Sequence, residues 1–108
     1  MGAWLSAFAL TQLVECPIYV RALRGHERPW LWAFGASALS HPLIFLVLPS
    51  LWSGDWLSYV VMAEGIAVAI ETLWLSWLGV ARPLRWALAA NLASFGISLA
   101  TRALFGWP

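Results

Sequence analysis

Lysine is absent from this 108-residue chain, cysteine occurs once, and only five residues are acidic. Each shortage excludes something. With no lysine and six scattered arginines for a formal net charge of +1, no basic patch interleaves with polar loops, so nucleic-acid binding is set aside. A single cysteine, Cys16, rules out an internal disulfide and any multi-cysteine metal or iron–sulfur centre. The N-terminus lacks the basic region of a secretory signal, and no small-residue cleavage site stands out, so the first apolar run is expected to be retained. Charged residues make up 10% of the chain, against about a quarter in a soluble domain.

What is present in excess is hydrophobic surface, 62% of residues, and so small a soluble domain could not hide it. Lipid is the solvent that fits. A helix needs about 20 apolar residues to cross the hydrocarbon core. Four stretches meet that need, roughly 2–22, 29–50, 56–79 and 86–106, joined by "RALRGHERP", "SGD" and "VARPLR". Links this short predict an all-α, antiparallel four-helix transmembrane bundle, one domain over residues 1–108.

Arg21, Arg24, Arg28, Arg82 and Arg85 gather on the side of the first and third links, and only Arg102 falls nearer the other. The positive-inside rule then sets those links in the cytoplasm and both termini outside, in a multi-pass protein of the cell (inner) membrane. Tryptophan agrees: Trp4, Trp52, Trp56 and Trp107 mark an outer level, and Trp30, Trp32, Trp74, Trp77 and Trp86 an inner one. A shift of 56 residues lays Glu15 on Glu71, Trp30 on Trp86 and Ala33 on Ala89, which raises the expectation of two repeated hairpins.

Against this apolar ground, "MAEGIAVAIETLW" stands out, because Glu64 and Glu71, seven apart, share one face of a helix. An ionisable group near the bilayer centre costs roughly 2.5–3.5 kcal/mol on insertion scales, so both must point inward and find partners. Glu15 has Thr11, Gln12 and Tyr19 within a turn. The second helix carries Ser37 and His41, and the fourth carries Asn91, Ser94, Ser98 and Arg102 as a polar stripe. Counting depth at about 1.5 Å per residue puts Glu15, Glu71 and Asn91 at similar levels, His41 near the middle, and Glu64 within reach of Arg102. Pro17 and Pro42 withhold a donor from the carbonyls of Leu13 and Ala38 and are expected to kink their helices. Ala33, Ser37, Ala63, Ala67, Ala87, Ala90 and Ser94 allow the helices to approach closely.

Asparagine, serine and histidine in membranes commonly serve as interhelical glue, and that accounts for much of Asn91, Ser37, Ser94 and Ser98. Three glutamates are harder to assign to glue, because glutamine would hydrogen-bond without the charge. Arg102, near a helix end, can snorkel to the interface. Carboxylates with one imidazole would suit a divalent metal at Glu15, His41 and Glu71, although no Glu/His pair has metal-ligand spacing, and no cofactor is expected. Cys16 and His41 are the only thiol–imidazole combination, with no nucleophile elbow or HExxH, so no enzyme is expected.

Glu15-x-Pro17, Ser40-His41-Pro42, the two glutamates of the third helix and Asn91-x-x-Ser94 together resemble a widespread group of small prokaryotic four-span membrane proteins without an assigned activity. The resemblance covers nearly the whole chain and implies the same four-span fold. A looser similarity is to small multidrug-resistance exporters, in length, span number and a first-helix glutamate, here Glu15. It implies proton-linked binding of a cation, but the extra glutamates and the lack of a glycine-rich third helix depart from that pattern. The leading expectation is a proton- or cation-linked transporter or channel, homo-oligomeric, using Glu15, Glu71, Glu64, His41 and Asn91, supported by Gln12, Tyr19, Ser37, Ser94, Ser98 and Arg102. The alternatives are an accessory or assembly subunit of a larger membrane complex, or a holder of a metal or lipophilic cofactor.

Overall fold

The computed structural model describes residues 2–106, and the side chains of these apart from residues 2–4 and Trp56. Among them the chain is helical and forms no strand. Four long helices follow one another: α1, Gly2–Ala22; α2, Pro29–Leu51; α3, Trp56–Trp77; and α4, Pro83–Phe105. Three of them, α2, α3 and α4, are long and apolar enough to cross a membrane. The described part of α1 is not among them. Four long helices therefore stand where four were expected, and three of them meet the length and apolarity that a span needs.

Local chemistry sets the helix ends. Pro29 and Pro83 occupy the first turn of α2 and α4, where a missing N–H costs nothing and the fixed φ is already helical. The arginine before each is left-handed, Arg28 at φ 56° and Arg82 at φ 54°, which costs an L-residue about 1–2 kcal/mol. Charge in "VARPLR" made residues 83–85 look like a link, yet the helix begins at Pro83, three residues before the expected start. Asp55 caps α3 by accepting the Ser58 N–H at 2.9 Å. Gly25 and Gly79, in the turns after α1 and α3, both take positive φ, 95° and 81°.

The two prolines inside helices act differently. Pro17 sits within α1, which continues through it. After Pro42, α2 widens into a π-helical turn over Leu43–Val47 before closing as Leu48–Leu51.

Packing is a closed ring. α1 packs on α2 and α4, and α3 packs on the same two, so α1 and α3 occupy opposite corners. The longest dimension is 40 Å, close to a bilayer with its headgroups. All seven small residues expected at close approaches are buried. A Cβ at Gly35 would meet the Trp74 ring at 2.8 Å, so α2 and α3 touch there only because the residue is glycine. Trp74 is held in that interface by donating from Nε1 to the Trp32 carbonyl at 2.9 Å, with Trp32 and Trp77 rings beside it. Trp107 and the side chains of Trp4 and Trp56 lie outside the described set.

The polarity of the molecule is inverted. Large apolar side chains such as Leu13, Leu57, Leu73, Leu92 and Leu104 face outward, while Glu15, Ser37, Ser40, Glu71, Asn91 and Ser94 are buried. Water would not tolerate that exterior, and a bilayer requires it. This is a membrane protein.

Candidate functional site

Glu15 on α1 and Glu71 on α3 are 1% and 2% exposed, so each must find its partners inside the bundle. Glu15 accepts from Ser37 Oγ at 2.7 Å and from Ser94 Oγ at 2.6 Å. Glu71 accepts from Ser40 Oγ at 2.7 Å, from Asn91 Nδ2 at 2.9 Å and from the Tyr19 hydroxyl. Asn91 Nδ2 also donates to the Ala87 carbonyl at 2.8 Å, one turn back on its own helix. The helices between the two carboxylates therefore each supply one donor to each glutamate, from positions three apart: Ser37 and Ser40 on α2, Asn91 and Ser94 on α4.

This crossed pattern carries a register. Ser37 corresponds to Asn91 and Ser40 to Ser94 at a spacing of 54, as do the buried pairs Ala33 with Ala87 and Ala36 with Ala90. The left-handed Arg-Pro starts and the positive-φ glycines fall at the same spacing. Glu15 and Glu71 keep the spacing of 56, and the fully buried Tyr19 and Leu75 share it. The single 56-residue shift read from the sequence is thus replaced: the turn after the glutamate is two residues shorter in the second hairpin, and Trp30–Trp86 and Ala33–Ala89 are not equivalent positions.

Beside the network lies a cavity of about 200 Å³. Its wall includes Glu15, Glu71, Asn91, Ser94 and Ser98, and also Glu64 and His41. No arginine faces it among the described residues. Glu64 is half-buried on the wall. The His41 ring lies between two phenylalanines, edge-on to Phe8 at 5.3 Å and stacked on Phe45 at 5.8 Å.

Two of the supporting residues stand apart from the carboxylates. Arg102, read from its place near a helix end as able to snorkel, is exposed, and among the described residues no ion pair joins it to Glu64. Gln12 faces α2 rather than Glu15: its Nε2 donates to the Phe34 carbonyl at 3.4 Å, and its Oε1 accepts from Cys16 Sγ at 2.8 Å. That contact also leaves the Cys16 thiol engaged in a groove apart from the cavity that His41 lines.

Among the described residues no three His, Cys, Asp or Glu side chains are placed to hold a metal ion. The Glu15–His41–Glu71 alternative is not preformed, since both carboxylates are engaged by hydroxyl and amide donors and the imidazole lies between aromatic rings. Ser40 and Tyr59 were not singled out as site residues, yet Ser40 donates to Glu71 and Tyr59 lines the cavity. Ser40 could have been found from its three-residue spacing to Ser37. Tyr59, twelve residues before Glu71 and about 120° around the helix from it, had no such signal in spacing.

Compared with known proteins, the chain matches no family model, no curated protein and no solved structure.

Proposed function

We propose that the protein moves protons or a small cation across the cell (inner) membrane, as a channel or a cation-linked transporter. In this reading all four helices span the bilayer as an antiparallel bundle, α1 included, with both termini outside. The short links and the arginines at the α1–α2 and α3–α4 turns support that topology. One observation carries the functional reading: three carboxylates and one imidazole line a single cavity, free of arginine, inside a lipid-facing shell. Negative and titratable groups at membrane depth select cations by charge, and they are rare in structures that only need glue.

Glu15 and Glu71 bind the ion, and their hydroxyl donors can rotate away or reverse as charge on the carboxylate changes. Asn91 and the serines orient the carboxylates, while Glu64 and His41 pass the ion along the wall. No catalytic chemistry is assigned. A bundle of this size does not enclose a full pathway by itself, so the working unit is a homo-oligomer.

The experiment is ion flux in proteoliposomes. Glu71→Gln keeps one oxygen to accept from Asn91 Nδ2 and the Tyr19 hydroxyl, and its new amide N–H can donate to Ser40 Oγ in place of the bond Ser40 gave, so the protein stays folded, and flux is expected to vanish. Unchanged flux would remove Glu71 from the mechanism.

A second reading, an accessory subunit of a larger membrane complex, is favoured by the completeness of the hydrogen bonding around Glu15 and Glu71. Only Glu64 would then remain for a partner's cation. Native mass spectrometry of the gently extracted protein decides: a homo-oligomer supports transport, and a stable mass with other subunits supports assembly.

A further inference from the structure

Tyr59 lines two spaces. One is the cavity that holds Glu15, Glu64 and Glu71; the other is a separate hollow of about 450 Å³ at the α2–α3 turn, walled by Phe45, Pro49, Trp52, Gly54, Asp55 and Tyr59. Tyr59 is the residue that both linings share.

What holds it there follows from two prolines. Pro42 withholds its N–H, and the helix widens so that Leu48 N–H reaches back to the Leu43 carbonyl, one residue beyond its α-helical partner. The α-helical donor for the Ile44 carbonyl would be that same Leu48 N–H. The next donor in the widened register would be residue 49, which is a proline. The Ile44 carbonyl is therefore left without a backbone donor at membrane depth, where an unmet polar group is costly. The Tyr59 hydroxyl donates to it at 3.1 Å.

Along α3, Tyr59, Ala63, Ala67 and Glu71 line the cavity as a ridge that winds around the helix one turn at a time, and Asp55 lies a turn before them in the wall of the second hollow. Ala63 and Ala67 line the cavity and leave room below the tyrosine, and Asp55 is exposed at the mouth.

We propose that a small hydrated cation reaches the buried carboxylates from the α2–α3 turn, past Tyr59, whose hydrogen bond to the Ile44 carbonyl latches the route shut. The cavity sets the size of the cargo. At about 200 Å³ it has room for several waters and falls short of the roughly 300 Å³ at which drug-sized ligand pockets begin. An ion with part of its hydration shell fits, and a bulky organic cation does not. The route rests on the reading of the cavity as an ion site.

Silver ion tests it, being a small monovalent cation that captures thiols. In a Cys16→Ser background, Ala67→Cys places one thiol on the cavity wall. Right-side-out and inverted membrane vesicles are exposed to Ag⁺, and the unreacted thiol is then counted with a maleimide after denaturation. Ser53→Cys in the same background marks the side on which the α2–α3 turn stands. Capture is expected only from that side, and about tenfold faster with Tyr59→Phe, the size of effect one hydrogen bond supports. Tyr59→Phe keeps the ring, and matching melting curves verify the fold. A bulky trimethylammonium thiosulfonate is expected to react with the Ser53→Cys protein and not with the Ala67→Cys protein. Capture from the opposite side, equal capture from both sides, or rates indifferent to Tyr59→Phe and Tyr59→Ala would overturn the route. The readout needs no ion flux, so sided capture with unchanged flux in Glu71→Gln would keep the route and sink the carboxylate mechanism.

Discussion

The hairpin of α1 and α2 and the hairpin of α3 and α4 bury the same plan and differ where they meet the cavity. In each, a glutamate on the first helix is followed, across a left-handed Arg-Pro turn, by two buried alanines and two hydrogen-bond donors three apart. The differences fall further from the turns. Glu64 on α3 stands where α1 has Phe8, His41 on α2 stands where α4 has Phe95, and the π turn after Pro42 has no counterpart in α4, which runs as one α-helix. The shared half builds the saturated carboxylate network. The unshared half supplies the cavity's half-buried acid, its imidazole and the carbonyl that receives Tyr59. The difference separates what holds the bundle together from what gives it access.

The strongest way to break the comparison is to delete the glutamates. Glu71→Ala takes the acceptor from three donors, while Glu15→Ala strands Ser37 and leaves Ser94 Oγ the Asn91 carbonyl at 3.2 Å, and each stranded buried donor costs about 1–3 kcal/mol. Glu71→Ala is therefore expected to be the more destabilising by about one such increment, read from unfolding titrations in mixed micelles. Equal losses would mean the two halves are energetically alike despite their geometry.

Asn91→Ala and Ser37→Ala test matched positions. Ser37 gives one hydrogen bond, whereas Asn91 bridges Glu71 and the Ala87 carbonyl, so the Asn91 loss should be about twice the roughly 1 kcal/mol expected at Ser37. At the turns the halves should agree: Arg28→Gly and Arg82→Gly each relieve a left-handed backbone and are expected to stabilise by about 0.5–1 kcal/mol. Glu64→Gln should change stability by less than about 0.5 kcal/mol and still lower flux, because Glu64 lies outside the shared network. A large stability loss there would place Glu64 among the structural residues.

The smallest effect is one of pH. Hydrogen bonding from Ser58 holds the exposed Asp55 carboxyl below its ordinary value of 3.8. A depressed folded value means the contribution is present above pH 3.8 and fades as pH falls toward the lower folded value. Thermal melts should therefore show Asp55→Asn and the parent diverging above that pH and converging in acid.

Much of the fold was legible residue by residue. A 62% apolar chain and short links were enough to draw four helices, and the seven-residue spacing of Glu64 and Glu71 was enough to put both on one wall. The repeat was legible in outline only. Its register broke between Glu15 and Gly25, where a two-residue change in length is invisible to a single rigid shift. Compared at the right spacing, "RPWLWAFGASALS" and "RPLRWALAANLAS" agree at six of thirteen positions. Gln12 was misplaced because a residue three positions from Glu15 on a helix can turn to either neighbour, and the Phe34 carbonyl on α2 captured it.

By itself the sequence determined the solvent and the secondary structure, because hydrophobic content and helix-end chemistry act locally and do not depend on which helices meet. It also required that the carboxylates face inward, since lipid leaves no other choice. Only the tertiary structure decided which donors reach which glutamate, that Arg102 turns away from Glu64, and that Tyr59 closes on Ile44. Those outcomes depend on the rotation of each helix about its axis, and packing against two neighbours sets that rotation.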